Sequence, residues 1–147
     1  MDTLKLIKLF DGINHLKGAK NENALANEIA INLRNLSLDG KLKCVWFHVP
    51  NEYVVANCLD KARIRKRQCQ GMIAGAPDLI FAQGIEDLDG NKFYSVMFIE
   101  LKTETGRLSD KQKLFKEWTE NSGIPYIIAK SWNDVYNALI QRHFINI

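Results

Sequence analysis

Asp78 follows a proline in Gly75-Ala76-Pro77-Asp78 and opens the apolar run Leu79-Ile80-Phe81. Further along, Phe98-Ile99 leads into Glu100-Leu101-Lys102. Glu100 and Lys102 are two apart, so on a β-strand they point to the same face. Two carboxylates beside one ammonium make a place for a divalent cation with a fixed positive charge next to it. That is equipment for hydrolysing a phosphodiester. The other reading is a buried charge cluster with no binding role. Such clusters cost desolvation and often give no net stability, which makes that reading the poorer one.

The flanking elements must bring these residues together. Residues 78–82 are a short apolar strand, and residues 93–101 are a second one. The polar connection over 84–92 contains the turn signal Asp89-Gly90-Asn91. It is too short for a crossover, so the two strands pair antiparallel. Asp78 then lies level with Glu100 and Lys102, at the ends away from the turn.

Residues 21–38 form a helix with Leu25, Ile29, Leu33 and Leu36 on one stripe. Glu22 lies on that stripe. Either it favours the positive helix N-terminus, or it is a buried carboxylate that needs a cation or metal. Glu28 sits at the stripe's edge. Residues 43–49 are a strand ended by Pro50-Asn51, and His48 near its end is a structural histidine or a catalytic one. Residues 53–70 read as a helix carrying Lys61, Arg63, Arg65, Lys66 and Arg67, closed by Gly71. That run is either a solvated face or a surface for a phosphate backbone, which gives affinity without sequence information.

Ser109 to Gln112 is a capping box that starts a helix with Leu114, Phe115 and Trp118 facing inward, stopped by Gly123. Residues 124–129 are a buried strand. Ser131 caps a last helix bearing Val135, Leu139 and Phe144 at helical spacing. Residues 1–20 suit a short helix or an alternating strand, and are expected to be an adaptable arm that packs on the core or on a second copy. The class is α/β, a small mixed sheet flanked by helices.

The 147 residues are expected to form a single domain, and the 46% hydrophobic and 25% charged fractions are those of a globular chain. No apolar run approaches the roughly 20 residues that span a bilayer, and the first residues do not read as a signal peptide. A net charge of +3 is weak support for a polyanionic partner. Three cysteines without a CxxC pair fit a reduced cytosol better than a disulfide framework. The histidines do not cluster with them, which disfavours zinc.

Pro77-Asp78 followed by Glu100-Leu101-Lys102 resembles the PD-(D/E)xK nuclease signature. The element order resembles that superfamily's restriction-endonuclease-like αβββαβ core, with an extra basic helix after the first strand. The finer resemblance is to the virus-type replication-repair nuclease (VRR-NUC) domain. It rests on His48-Val49-Pro50-Asn51-Glu52, the basic helix ending at Gly71, Gly75-Ala76-Pro77-Asp78, Ile99-Glu100-Leu101-Lys102-Thr103, Gly106-Arg107-Leu108-Ser109 and Gln112. Ala76 departs from the family's frequent β-branched residue, and Tyr53-Val54-Val55-Ala56 replaces a glycine- and basic-rich loop.

The resemblance implies that Asp78, Glu100 and the Leu101 carbonyl bind Mg²⁺ or Mn²⁺, hard ions suited to oxygen ligands. Lys102 is implied to orient the attacking water or to stabilise the phosphorane charge. Gln112 supports the site, or is only a capping residue. The family's helix-borne glutamate maps to Glu22, with Glu28 in reserve. Lys61, Arg63, Lys66, Arg67 and Arg107 are expected on phosphate. The implied activity is a metal-dependent DNA endonuclease for branched, flap or Holliday-junction DNA of replication and repair, acting as a cytoplasmic homodimer of bacterial or phage type. The alternatives are a non-catalytic nucleic-acid-binding module and a general duplex or single-strand nuclease.

Overall fold

A computed structural model describes residues 2–10, 22–50 and 58–146. The first helix, α1 (Thr3–Leu9), is capped by the Asp2 carboxylate, which accepts from the Leu4 N–H at 3.1 Å. Phe10 after it lies 6.2 Å from the Trp46 ring. The start of the N-terminal arm is therefore helical, and the rest of it lies outside the described residues.

The remaining elements are α2 (Glu22–Leu38), β1 (Val45–His48), α3 (Cys58–Cys69), β2 (Leu79–Glu86), β3 (Lys92–Leu101), α4 (Asp110–Asn121), β4 (Tyr126–Ala129) and α5 (Trp132–Gln141). The sheet order is β1-β2-β3-β4. The pairs β1/β2 and β2/β3 are antiparallel, and β3/β4 is parallel. The parallel pair needs a crossover, which α4 supplies. This is the expected α/β architecture, with the basic helix inserted after the first strand.

One sheet face holds the core. Leu79 and Phe81 of β2 and Met97, Ile99 and Leu101 of β3 alternate inward. Ile29 and Leu33 of α2 and Val135 and Leu139 of α5 cover them. The stripe expected on residues 21–38 is thus the face that α2 buries. Trp46 anchors β1 to α2 by donating to Ser37 Oγ at 3.1 Å.

The opposite face carries α4. Its capping box is present, with Ser109 Oγ accepting from the Gln112 N–H and Gln112 returning a bond to the Ser109 N–H. Phe115 packs 6.2 Å from Phe98 of β3, and Thr119 is buried. Leu114 and Trp118, expected inward, are 65% and 58% exposed. At roughly 100° per residue, Gln112, Phe115 and Thr119 make one narrow face toward the sheet, and Leu114 and Trp118 fall to its side.

Two further expectations are corrected. The hairpin is longer than its polar sequence suggests: β2 runs to Glu86 and β3 resumes at Lys92. Asp87 makes the tight turn, accepting from the Asp89 and Asn91 N–H groups at 3.0 and 2.8 Å. Phe144 is buried but lies beyond α5. His143 adopts a positive φ of 58°, and the Phe144 N–H donates to the Leu139 carbonyl, which turns the ring against Phe81. The basic helix is described from Cys58 only; residues 51–57, with Asn51, Glu52 and the Tyr53–Ala56 stretch, lie outside the described residues.

Candidate active site

The site forms at one end of the β2/β3 hairpin, where strand register does the placing. Leu79 pairs with Ile99. One step further sets Asp78 opposite Glu100, and equal numbers of steps from a pair put both on one face. Two bonds clamp Asp78. Its carbonyl accepts from the Val49 N–H at 2.8 Å, which ties in the end of β1, and its Oδ2 accepts from the Leu101 N–H at 2.7 Å.

Glu100 is 1% exposed. A buried carboxylate must be bonded, and three groups meet this one. Gln112 Nε2 from α4 donates to Oε1, and the Tyr126 hydroxyl from β4 donates to Oε2 at 3.3 Å. Lys102 Nζ lies 2.8 Å from Oε1. The capping box therefore serves two ends: it starts α4, and it aims the Gln112 amide at Glu100.

Lys102 is 7% exposed. Its backbone N–H donates to the Ala129 carbonyl at 2.9 Å, extending the β3/β4 ladder one residue past the strand. Past the strand end the side chain is free of strict alternation and reaches across to α2. Its Nζ stands 3.5 Å from Glu22 Oε1. Gly106 of the following loop lies over the lysine stem; a Cβ there would stand 3.3 Å from Lys102 Cδ.

Burial is the leading influence on the charged groups of the site. Burial pushes Glu100 up to about 7, against the pull of its Lys102 bond. Burial also raises Asp78, more than the Leu101 N–H and the charges of Lys102 and His48 lower it. Burial works against the Lys102 charge too, but its bond to Glu100 and the negative charges of Glu100, Glu22 and Asp78 win, and the amine is held above its ordinary value. Tyr126 is raised by burial and by Glu100 and stays a donor.

A cleft of about 240 Å³ opens beside Asp78. Glu22, Asn23, His48, Pro50 and Leu101 are among its walls. Of the two helix-borne acids, Glu22 stands at this cleft, whereas Glu28 is exposed on the outer side of α2. Arg67 lines a second cleft with Pro50 and Ala76. Lys61, Arg63 and Lys66 continue up the exposed face of α3, and Arg107 is exposed on the loop after β3.

Two residues near the site carried no role in the sequence. Tyr126 read only as part of an apolar strand. A tyrosine in a buried strand needs a partner for its hydroxyl, which is the signal that was there to find. Gly75 is the other. With φ at +88°, it approaches the first turn of α4 so closely that a Cβ would lie 2.5 Å from the Lys111 carbonyl carbon. The loop that carries Asp78 is thereby seated on the helix that carries Gln112.

The residues suit a divalent cation by their charge. Among the described residues Lys102 pairs with Glu22 and Glu100, Asp78 stands opposite Glu100 by register, and burial holds both Asp78 and Glu100 above their ordinary values. Among the described residues no three His, Cys, Asp or Glu side chains converge as a ready-made metal cluster. Asp78 and Glu100 with the Leu101 carbonyl are the oxygen donors at hand.

A mixed four-stranded sheet with this acid-rich end is a restriction-endonuclease-like nuclease fold. The chain belongs to the VRR-NUC domain family, which matches residues 21–133 and so the elements from α2 to β4. That membership gives it a nuclease-type function. No curated protein and no solved structure matches the chain. No helix among the described residues is long and apolar enough to cross a membrane.

Proposed function

We propose that this chain is a single-domain, Mg²⁺- or Mn²⁺-dependent DNA endonuclease acting on branched, flap or junction DNA. The observation that carries this reading is the contact of Lys102 with both Glu100 at 2.8 Å and Glu22 at 3.5 Å, with Asp78 set opposite Glu100 by the strand register. Asp78, Glu100 and the Leu101 carbonyl hold the metal. When bound, a divalent ion supplies Lewis-acid stabilisation of the charge that builds on the phosphoryl oxygens.

The protein's own groups do the rest. Lys102 is protonated, so it donates to the attacking water or to a phosphoryl oxygen as negative charge develops there. Glu22 holds the lysine from the far side. Gln112 and Tyr126 fix the Glu100 carboxylate, as outer partners of metal ligands do. The water oxygen bonds to phosphorus as the ester P–O bond breaks, leaving one phosphate end and one hydroxyl end. Lys61, Arg63, Lys66 and Arg67 on α3, with Arg107, run along the phosphate backbone. A homodimer suits a symmetric junction, and the exposed Leu4, Ile7 and Leu9 of α1 are apolar surface for a second copy.

The test is a cleavage panel of four-way, flap and plain duplex DNA in Mg²⁺ or Mn²⁺, with light scattering to give the mass in solution. Wild type should cut the branched substrates, and Asp78→Ala and Glu100→Ala should cut none. Equal cleavage by the variants would refute the assigned site. DNA binding that is the same in EDTA, with no cutting in any metal, would make the chain a binding module instead.

A further inference from the structure

The apolar side chains that α4 leaves uncovered lie next to the site. A cleft of about 420 Å³ lies between the last turn of α3 and α4, with Arg67, Gln70, Met72, Ile73 and Phe115 among its walls. Pro50 lines both this cleft and the one at Asp78, so the two adjoin. On its other side it meets a shallower hollow floored by Ile73, Leu114, Phe115 and Trp118, with Lys111 at its edge. Together they make an apolar shelf that begins at the candidate site and ends at an exposed indole.

That indole is held in place. Phe98 of β3 packs on Phe115 at 6.2 Å, and Phe115 meets Trp118 edge to face at 5.6 Å and 79°. A chain of rings therefore runs from the sheet to the surface and orients Trp118, while most of its surface stays open. Among the described residues, the charged ones that line the two clefts are both cations. Arg67 and Lys111 border the shelf, and α3, whose last turn lines it, also carries Lys61, Arg63, Arg65 and Lys66. Of the acids of α4, Asp110 pairs with Lys113 and Glu120 with Lys116. By helical period Glu120 lies on the far side of α4 from Trp118, and Asp110 and Glu117 flank Leu114 at the outer edge of the shelf.

A flat aromatic surface bordered by cations suits a ligand with flat apolar faces joined by negative charges. We propose that the shelf stacks unpaired nucleobases of the DNA strand that passes through the site. Inside a duplex, base faces are covered by their neighbours, so the shelf selects DNA with a single-stranded segment beside the scissile phosphate. This deepens the nuclease reading and rests on it for the site that the strand leaves.

The test measures binding in EDTA, where nothing is cut, by fluorescence anisotropy. The probes are a short oligothymidylate, an abasic strand of the same length and charge, and a blunt duplex. Wild type should bind oligothymidylate roughly ten-fold more tightly than the abasic strand. Trp118→Leu, which keeps an apolar side chain without a ring face, should erase that difference. Trp118→Phe should retain much of it, and binding of blunt duplex should not change. Equal affinity of wild type for the two strands, or a Trp118→Leu loss of the same size on both, overturns the proposal. So does a halved mass of Trp118→Leu in solution, which makes the shelf a surface between copies. If base-dependent binding through Trp118 is found but wild type cuts no DNA in Mg²⁺ or Mn²⁺, the shelf stands and the nuclease reading falls.

Discussion

Two aspartates bracket the same strand, and they live in opposite worlds. Asp87 follows β2 at the hairpin turn. Its carboxylate accepts from the Asp89 N–H, the Asn91 N–H and the Asn91 side chain. Those bonds hold its carboxyl below the ordinary value. Asp78 precedes β2 at the other end. It is half-buried, its carboxylate accepts from the Leu101 N–H, and burial raises it. One carboxylate is satisfied by its own turn and shapes the backbone. The other lines a cleft, and burial holds it above its ordinary value.

The sharpest way to break that contrast is to neutralise each end. Asp78→Asn should abolish cleavage of branched DNA in Mg²⁺, while Asp87→Ala should cut like wild type with only a small loss of thermal stability. Lys102→Met removes the cation that pairs with Glu22 and Glu100 and should slow cleavage by on the order of a thousand-fold. If the slowing is no greater than for Lys113→Met, the lysine has no special place.

Metal and pH should separate the ends next. Saturating Mn²⁺ should stabilise the wild-type fold by about 2.7 kcal/mol at a hundred times the dissociation constant. Differential scanning calorimetry should show the same gain in Asp87→Ala and none in Asp78→Asn. Without metal, the sign for Glu100 follows from its displacement upward, from an ordinary 4.5 to about 7. The folded chain keeps a proton there that the unfolded chain gives up. The stabilisation is complete below 4.5 and is lost as pH rises to about 7. Its size is on the order of 3 kcal/mol. Glu100→Gln should lack that decline. Asp87 works the other way, stabilising above the ordinary carboxylate range and losing that contribution as pH falls. The smallest effect should be Tyr126→Phe, which frees one oxygen of Glu100 and should weaken Mn²⁺ binding by roughly ten-fold.

The acid-rich end was legible in the sequence because its placing is local. A two-residue step on a strand and a short connection suffice to set Asp78 opposite Glu100 with Lys102 nearby. The α2 stripe was legible for the same reason, since helical period alone marks Leu25, Ile29, Leu33 and Leu36. What was not legible depends on distant partners. Gln83 and Gly84 do not look like strand residues, yet the ladder with Ser95 and Tyr94 carries them. Tyr126 reaches Glu100 only through the parallel register of β4 on β3. Leu114 and Trp118 have the spacing of a buried face, but periodicity says which residues share a side, not whether anything covers it. They were misread as core where the chain keeps an open apolar surface beside its site.

The most direct measurement is Mn²⁺ binding by titration calorimetry to wild type, Asp78→Asn, Glu100→Gln and Asp87→Ala. The expected result is saturable binding to wild type and Asp87→Ala and none to the other two. Binding of equal strength by all four would contradict the placing of a metal-dependent nuclease site at the Asp78 end of the hairpin.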